Sequence, residues 1–369
     1  MAGLYIHIPF CRSKCIYCDF YSTPAGLGGA RAVAVARGIV TEWKARCRQL
    51  PHPSPDTVYI GGGTPSALPA AMLAGIISEI DLSRTREFTV EANPEDVTLE
   101  WASAMAAAGV NRVSMGVQSL DDEVLRRIGR RHTGRRAREA VDILREAGIT
   151  NISCDLIYGL PGQSNEDWER DLLQLTSWPV THLSAYSLTF TPGTRLYLMA
   201  RRGELTPISD DDAVTRFNAL RRIAAEAGFE HYEISNLARE GFRSQHNSTY
   251  WEAGGQWLGI GPGAHSFCRG RRSCNPDSID RWLVSPAEAD VEEPETETER
   301  INDMILAGLR TSRGLDLTVF TQAVAAGIMR AARRFIRQGL LTVDPAGRFV
   351  AIPPAHWLIS DSIIRDLLQ

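Results

Sequence analysis

The sequence predicts an α/β fold, in which an incomplete (β/α)6 TIM-like barrel is followed by a small winged-helix-like C-terminal domain. Six short apolar runs rich in β-branched and aromatic residues, each ending in turn-forming residues, alternate with stretches of helical periodicity. This alternation indicates a parallel sheet with right-handed crossovers. Six units are fewer than the eight that close a barrel, so we expect the barrel to remain open.

The elements of the barrel follow one another along the chain. The predicted strands are LYIHIP (4–9), TVYIGGG (57–63), EFTVEANP (87–94), RVSMGVQS (112–119), NISCDLIYGLP (151–161) and HLSAYSLTF (182–190). Apolar stripes predict the helices between them. The stripe of the first helix consists of Val33, Ile39, Val40, Trp43, Cys47 and Leu50. The fourth helix carries Ala137, Val141, Leu144 and Ala147, and Gly148 is expected to end it.

The pattern predicts three regions: residues 1–228 as the barrel with its N-terminal cysteine loop, 229–290 as an extension with the strand FEHYEIS, and 291–369 as the small C-terminal domain. DVEEPETETE (290–299) is predicted to be a solvated linker. One helix is expected around Ile301, Ile305 and Leu309, and two more are expected in GLDLTVFTQ and in MRAARRFIRQG. A hairpin is expected after them, in LLTVDPAGRFVAIP. Three helices and a hairpin resemble a winged helix.

Composition excludes several classes of function. The 369 residues include 40 basic and 44 acidic side chains, without the basic stripe of a dedicated nucleic-acid binder. No apolar run of about 18 residues predicts a transmembrane helix. The first predicted strand begins near Leu4, which leaves no room ahead of it for a leader peptide, so we expect a cytoplasmic protein.

Three cysteines stand close together in YIHIPFCRSKCIYCDF: Cys11, Cys15 and Cys18. Zinc sites usually pair two distant CxxC units, and no second unit exists here. The spacing CxxxCxxC is typical of a loop around an iron–sulfur cluster, and three thiolates leave one iron open to a cofactor or substrate. The other cysteines are expected to be buried hydrophobes or inert thiols: Cys47, Cys154, Cys268 and Cys274.

Further polar and glycine residues stand at the ends of the predicted strands. Gly61–Pro65 follows the second strand, Glu91 ends the third, Gln118 ends the fourth and Asp155 lies in the fifth. Each has an ordinary structural interpretation, such as a helix cap or a tight turn. Because the carboxyl ends of parallel strands open on one face, we expect these residues to converge there with the cysteine loop.

CxxxCxxC after the first strand, the aromatic Tyr17 before the third cysteine and the GGGTP loop resemble the radical S-adenosylmethionine superfamily. The resemblance implies a [4Fe–4S] cluster held by Cys11, Cys15 and Cys18. It also implies that the open iron is chelated by the amino and carboxylate groups of S-adenosylmethionine, which the reduced cluster cleaves to a 5′-deoxyadenosyl radical.

YIHIPFC, GGGTP, EANPE, GVQS, DLIYGLP and HNSTYW together resemble the oxygen-independent coproporphyrinogen oxidase group over nearly the whole chain. By motif position, the resemblance implies that S-adenosylmethionine is bound by Tyr5, Gly62, Gly63, Thr64, Glu91, Gln118, Arg130 and Asp155. The residue types suit this task, because arginine can pair with a carboxylate and the carboxylates and glutamine can accept hydrogen bonds from ribose hydroxyls or an ammonium.

Two departures from the oxidases are visible. Their cysteine motif continues as CxC, whereas this chain reads Cys18-Asp19-Phe20, and their long N-terminal extension is replaced by three residues. Both departures fit a sister family of heme chaperones. HNSTYW at 246–251 resembles the HNxxYW signature of that family. On this resemblance His246 is the favoured heme ligand and His265, in GPGAHSF, is the next candidate.

Alternatives remain open at this stage. The HNSTYW residues have a structural interpretation, in which His246 and Asn247 cap a turn while Tyr250 and Trp251 fill the core.

For function, the first interpretation is a protein that binds heme and delivers it to client hemoproteins such as a respiratory enzyme. The second is a radical oxidase that decarboxylates coproporphyrinogen III, and a DNA-binding regulator would depend on the winged helix alone. No nucleic-acid partner is expected, and peripheral membrane association and a homodimer are kept open.

Overall fold

A computed structural model describes residues 1–24, 27, 29–291 and 295–369; positions 292–294 of the predicted acidic linker lie outside this range. The barrel region contains β1 (Ala2–Ile8), α1 (Ala30–Arg46), β2 (Thr57–Gly62), α2 (Ala70–Ile77), β3 (Glu87–Ala92), α3 (Leu99–Ala107), β4 (Arg112–Gln118), α4 (Asp122–Arg127), α5 (Gly134–Glu146), β5 (Asn151–Tyr158), α6 (Asn165–Thr176), β6 (His182–Ser187), α7 (Arg195–Arg201) and α8 (Asp210–Glu226).

The remaining elements complete the sheet and form the C-terminal part. They are β7 (Glu230–Glu233), β8 (Asn236–Ala238), α9 (Gln245–Trp251), β9 (Gln256–Ile260), β10 (His265–Cys268), β11 (Arg271–Cys274), α10 (Ile279–Val284), β12 (Asp290–Val291), α11 (Glu297–Leu309), β13 (Leu315–Asp316), α12 (Gln322–Arg337), β14 (Thr342–Val343), β15 (Phe349–Ala351) and α13 (Ser360–Arg365). None of the helices in the described ranges is long and apolar enough to cross a membrane.

One sheet of 12 strands organises the barrel, in the order β12-β11-β10-β9-β1-β2-β3-β4-β5-β6-β8-β7. Strands β1 to β6 are neighbours in sequence order and pair in parallel. The six predicted strands and the incomplete barrel are therefore confirmed. The additional strands extend both edges, and β9 pairs in parallel with β1.

The two faces of the parallel sheet differ in chemistry. Side chains alternate along a strand, and on β1 Leu4, Ile6 and Ile8 are fully buried on the side that the helices cover. The other face carries polar residues such as Tyr5 on β1 and Tyr59 on β2, which pair in register. The barrel interior is therefore a polar chamber and not the packed core of branched residues typical of closed barrels.

The predicted helices agree with the structure in most positions. In α1, Ile39 and Trp43 are buried, but Val33 is 39% exposed, so its place in the apolar stripe was wrong. The helix begins at Ala30, and Val33 lies in its first turn on the solvent side. Helix α5 ends just before Gly148, as predicted, where φ is +89°.

The C-terminal part has its own apolar core, formed by α11, α12, the β-strands and α13; its residues include Ile305, Leu309, Ile328, Phe335 and Trp357. The helix predicted in GLDLTVFTQ was wrong, because Leu315 pairs with Val350 in a three-stranded sheet and only the turn Leu317–Val319 is helical. The predicted hairpin is present as β14 and β15. The winged-helix likeness and the predicted domain boundaries stay predictions.

Candidate functional site

The cysteine loop closes on the carboxyl end of β1. The backbone N–H of Cys11 donates to the Thr23 carbonyl at 3.1 Å, and the Thr23 N–H donates to the Pro9 carbonyl at 2.8 Å. The N–H of Thr64, after β2, donates to the Phe10 carbonyl at 2.7 Å. The loop is thus attached to the mouth of the barrel, where the strands end.

The three thiols of this loop are suited to iron and sulfide. Cys11 is buried, Cys15 and Cys18 are half-buried, and none is in a disulfide. Burial raises the pKa of the Cys11 and Cys18 thiols, so a positive centre is needed to hold them as thiolates. Within the described ranges, no three His, Cys, Asp or Glu side chains are close enough to hold a single metal ion. A four-iron cluster spaces its thiolates more widely, and soft thiolates are its usual ligands.

The glycines after β2 are required by packing at this mouth. A Cβ at Gly63 would lie 2.5 Å from the Phe10 carbonyl oxygen, and Gly62 has φ +107° with its missing Cβ 2.7 Å from the ring of His7. His7 was not among the residues expected at the site from the sequence. Its Nδ1 contacts the Tyr5 hydroxyl at 3.1 Å and its Nε2 contacts the Tyr21 carbonyl at 2.9 Å, so it connects β1 to the end of the cysteine loop.

Glu91 lies inside the chamber with its carboxylate held by neighbours. Its Oε1 accepts a hydrogen bond from the Tyr59 hydroxyl at 2.8 Å, and its Oε2 accepts one from the Gly62 N–H at 3.1 Å. Burial, together with the nearby carboxylate of Asp155, raises the Glu91 pKa to about 7, although the hydrogen bonds from Tyr59 and Gly62 and the charge of Arg112 lower it. An ammonium or sulfonium group entering the chamber would favour the ionised carboxylate.

Asp155 faces the same space from β5. It accepts hydrogen bonds from the hydroxyl of Ser114 at 3.1 Å and from that of Ser153 at 3.4 Å. Burial raises its pKa as well, although these serine hydroxyls and Arg112 lower it. Arg112 itself is buried at the start of β4, and its Nε has no hydrogen-bond partner among the described residues. The chamber therefore contains the carboxyl groups of Glu91 and Asp155 together with the guanidinium of Arg112.

Arg130 joins the chamber to the cysteine loop. Its Nη1 lies 3.8 Å from the sulfur of Cys15, and its Nη2 donates to Asn93 Oδ1 at 2.7 Å and to the Gly116 carbonyl. Its buried Nε has no partner among the described residues. With Nη2 engaged in this way, the predicted bidentate pairing with a carboxylate would require Arg130 to exchange partners. Asn93, in EANPE, was missed by the sequence analysis.

Gln118 ends β4 in an unusual conformation. Its φ is 68°, in the left-handed region that non-glycine residues rarely occupy, and the register of β4 with β5 shifts between Gly116 and Gln118. Local strain of this kind is concentrated at functional sites. The structure therefore brings Gln118, Glu91, Asp155, Arg130 and the cysteine loop to one end of the barrel, as the strand order predicts.

His246 lies at the other end. A Cβ at Gly3, near the start of β1, would be 3.0 Å from its ring, whereas the cysteine loop follows Ile8. Five residues of strand span roughly 17 Å. The backbone N–H groups of Gln245 and His246 donate to the carboxylate of Glu87, the first residue of β3, and so fix α9 against the sheet.

The imidazole of His246 is engaged on both sides. It is 1% exposed, with Nδ1 2.9 Å from the Thr57 hydroxyl and Nε2 2.9 Å from the Tyr250 hydroxyl. It stacks on Tyr59 with 5.2 Å between ring centroids, and burial lowers its pKa to about 3. The buried, hydrogen-bonded ring agrees with the structural interpretation of HNSTYW. The helix cap differs from that interpretation, because Ser244 caps α9 in place of His246 or Asn247. Binding of a heme iron by either ring nitrogen of His246 would require its contact with Thr57 or with Tyr250 to be broken.

Two other predicted positions are accessible. Phe20, after the third cysteine, is 65% exposed. His265 is exposed on β10, and its ring makes no hydrogen bond within the described part of the chain.

Comparisons with known proteins agree with these motifs. The family profile described as the Radical SAM superfamily matches residues 5–175. The heme chaperone HemW of Mycobacterium tuberculosis is 36% identical over an alignment of 377 residues that covers 99% of this chain and 94% of that protein. The HemW of Bacillus subtilis is 34% identical over 333 residues, which cover 87% of this chain and 86% of that protein.

Two further comparisons concern a mammalian relative and a solved structure. A mouse protein named radical S-adenosyl methionine domain-containing protein 1, mitochondrial, is 41% identical over 272 residues, which cover 72% of this chain and 60% of that protein. The structure of coproporphyrinogen III oxidase (HemN) from Escherichia coli, a radical SAM enzyme, superposes with a TM-score of 0.83 at 20% identity and covers 100% of this chain and 90% of that one. This likeness shows a common fold.

Proposed function

This chain belongs to the HemW heme chaperone family of the radical SAM superfamily, and from that premise we propose that it binds heme and delivers it to client hemoproteins. The observation that carries the proposal is the 36% identity with a heme chaperone over 99% of the chain. The oxidase, in contrast, is similar at only 20% identity. A cytoplasmic location is part of this proposal, while a homodimer and peripheral membrane association stay predictions.

The cofactors form the second part of the proposal. Cys11, Cys15 and Cys18 would hold a [4Fe–4S] cluster, which supplies one-electron chemistry at an iron without a protein ligand. The donor set supports this assignment, because three free thiols lie on one loop at the carboxyl end of β1 and no other cysteine is close in sequence. S-adenosylmethionine would be bound by Tyr5, Gly62, Gly63, Thr64, Glu91, Gln118, Arg130 and Asp155.

The chain's own groups suit this cofactor. Glu91 and Asp155 offer acceptors in a chamber where burial strengthens their attraction to a cation. Arg130, whose Nη1 lies 3.8 Å from the Cys15 sulfur and whose buried Nε has no partner among the described residues, offers a positive charge for a carboxylate at the cluster. His246 is buried at the far end, where its ring contacts Thr57 and Tyr250, so the proposed cofactor residues and the cysteine loop lie at the opposite end of the strands.

The alternative function is oxygen-independent oxidation of coproporphyrinogen III. Phe20 stands where the oxidases have a fourth cysteine, and its exposed phenyl ring cannot replace a thiol in redox or ligand chemistry. We therefore expect no decarboxylation of coproporphyrinogen III by the reconstituted protein with S-adenosylmethionine and a low-potential reductant. The measurement is anaerobic incubation followed by chromatography of the porphyrins, in parallel with a hemin titration followed by absorption.

The variant Phe20→Cys provides the matched control for this experiment. It restores the thiol but not the other features of the oxidases, so we expect it to remain inactive on coproporphyrinogen III while hemin binding is retained. Decarboxylation by the wild-type chain together with an absence of hemin binding would contradict the chaperone proposal and favour the oxidase.

A further inference from the structure

The turn after β3 lies beside the cysteine loop, and none of its residues is among the proposed cofactor ligands. It is a short helical turn, Pro94–Asp96, and the side chain of Asp96 is only 3% exposed. Asp96 Oδ1 accepts a hydrogen bond from Arg12 Nε at 2.6 Å. Arg12 directly follows Cys11 in the sequence. The carboxylate of Asp96 is therefore attached to the loop one residue away from a proposed ligand of the cluster.

The second oxygen of Asp96 contacts another loop. Asp96 Oδ2 accepts a hydrogen bond from the Ser66 hydroxyl at 3.1 Å, and the Ser66 oxygen accepts one from the Asn93 N–H at 3.0 Å. Ser66 is buried in the turn Pro65–Ala67, which follows the glycines after β2. Asp96 thus connects three segments that are distant in sequence: the cysteine loop, the segment after β2 and the segment after β3.

The same stretch also supports the cysteine loop at a second point. Asn93 Oδ1 accepts a hydrogen bond from Arg130 Nη2 at 2.7 Å, and Arg130 Nη1 lies 3.8 Å from the sulfur of Cys15. Residues 93–96 therefore hold one arginine next to the first thiol of the loop and another beside the second thiol.

The ion pair of Arg12 and Asp96 differs from an ordinary surface pair in the burial of its carboxylate. The side chain of Arg12 is 42% exposed, so its guanidinium stays partly solvated, whereas that of Asp96 is almost completely shielded. Separating two exposed charges changes stability little, but a buried carboxylate that loses its charged partner is strongly unfavourable. A cysteine loop that opened and carried Arg12 away would leave Asp96 with the Ser66 hydroxyl as its side-chain donor within the described ranges. The pair therefore favours the closed loop.

We propose that Asp96 is a positioning residue that acts through Arg12 to hold Cys11 in place for the iron–sulfur cluster, an inference that rests on the proposed function. The Cys11 N–H donates to the Thr23 carbonyl at 3.1 Å, so the chain is attached at Cys11 itself and again at the next side chain. A ligand that is already fixed loses less conformational freedom when it binds. The chain should therefore retain its cluster longer with this ion pair than without it.

The test compares Asp96→Asn and Arg12→Gln with the full-length wild-type chain. After anaerobic reconstitution, we expect both variants to lose the iron–sulfur absorption to an iron chelator roughly tenfold faster, the lower end of the effect of removing a group that orients a metal ligand. In the chain without iron, alkylation of Cys11 by iodoacetamide, located by peptide mass spectrometry, should also be faster. Alkylation of the half-buried Cys47 is the internal reference and should not change.

Two further variants separate the ion pair from general effects on folding. Arg12→Lys keeps a positive charge and should recover part of the difference, which loss of packing alone would not allow. Arg84→Gln is the matched control, because Arg84 Nη2 lies 3.6 Å from Asp56 Oδ1 at the other end of the strands. This control should lose its cluster and react with iodoacetamide at the wild-type rates. Because Arg12 is partly exposed, Arg12→Gln tests the inference even if Asp96→Asn does not fold.

The outcomes distinguish this inference from the proposed function. Wild-type rates of cluster loss and of Cys11 alkylation in folded Asp96→Asn and Arg12→Gln would overturn the inference while the cluster assignment stands. An equal acceleration in Arg84→Gln would also overturn it, because any loss of an ion pair would then have the same effect. Failure of the wild-type chain to assemble a cluster would contradict the cofactor part of the proposed function and this inference with it.

Discussion

Replacing Cys11, Cys15 or Cys18 singly with alanine is expected to abolish the iron–sulfur chromophore of the anaerobically reconstituted protein. The loop supplies three thiols, and no fourth cysteine is close to them in sequence. Loss of one thiolate leaves the cluster with two protein ligands and exposes further iron to water. The measurements are iron and sulfide content per chain, the absorption spectrum and the EPR spectrum after reduction.

Cys47→Ala and Cys154→Ala are the controls for this prediction. Cys47 is half-buried in the turn after α1 and Cys154 is buried in β5, so neither should affect iron content. S-adenosylmethionine should change the EPR spectrum of the reduced wild-type cluster, since it would bind the open iron. Normal cluster assembly in a triple Cys→Ala variant would show that other cysteines hold the iron and would refute the assignment.

His246→Ala is expected to lower the free energy of unfolding by roughly 2–5 kcal/mol, the range for truncating a large buried side chain and leaving its polar partners unsatisfied. The variant removes a ring that stacks on Tyr59 and leaves the hydroxyls of Thr57 and Tyr250 without their partner. The measurement is denaturant unfolding of the purified chain. His265→Ala is the matched control, and its exposed ring should contribute less than about 0.5 kcal/mol.

The cost of His246→Ala should depend on pH. The folded pKa of His246 is lowered to about 3 from an ordinary value of 6.5, so the stability it contributes is present above pH 6.5 and is lost as the pH falls towards 3. Below pH 6.5 the unfolded chain binds a proton that the folded chain excludes. The difference between wild type and variant should therefore shrink by about 1.4 kcal/mol per pH unit well below 6.5. If the difference in free energy of unfolding between wild type and His246→Ala stayed constant from pH 7 to 5, His246 would not be a buried neutral imidazole.

The barrel could be predicted from the sequence because each of its strands is a local pattern. Apolar alternation and turn residues define β1 to β6 without any distant contact, and parallel order then places Glu91, Gln118 and Asp155 at one end of the sheet. The convergence of these residues with the cysteine loop is therefore a consequence of topology. Their roles as cofactor ligands stay predictions.

Other features depend on contacts that the sequence does not contain. Nothing in HNSTYW indicates that α9 is held against the amino end of β3, because its anchor, Glu87, lies 159 residues away from His246. Similarly, GLDLTVFTQ has the apolar content of a helix, but Leu315 pairs with Val350.

The central claim is that this chain carries heme and releases it to a client. Its most direct test is to load the reconstituted protein with hemin, mix it with apo-cytochrome b as acceptor, and follow the absorption change in a stopped-flow experiment, with apomyoglobin as a scavenger of dissociated heme. We expect a transfer rate that rises with acceptor concentration and exceeds the rate of spontaneous heme loss to apomyoglobin. An absence of hemin binding and transfer, together with decarboxylation of coproporphyrinogen III, would contradict the proposal that this chain carries heme to a client.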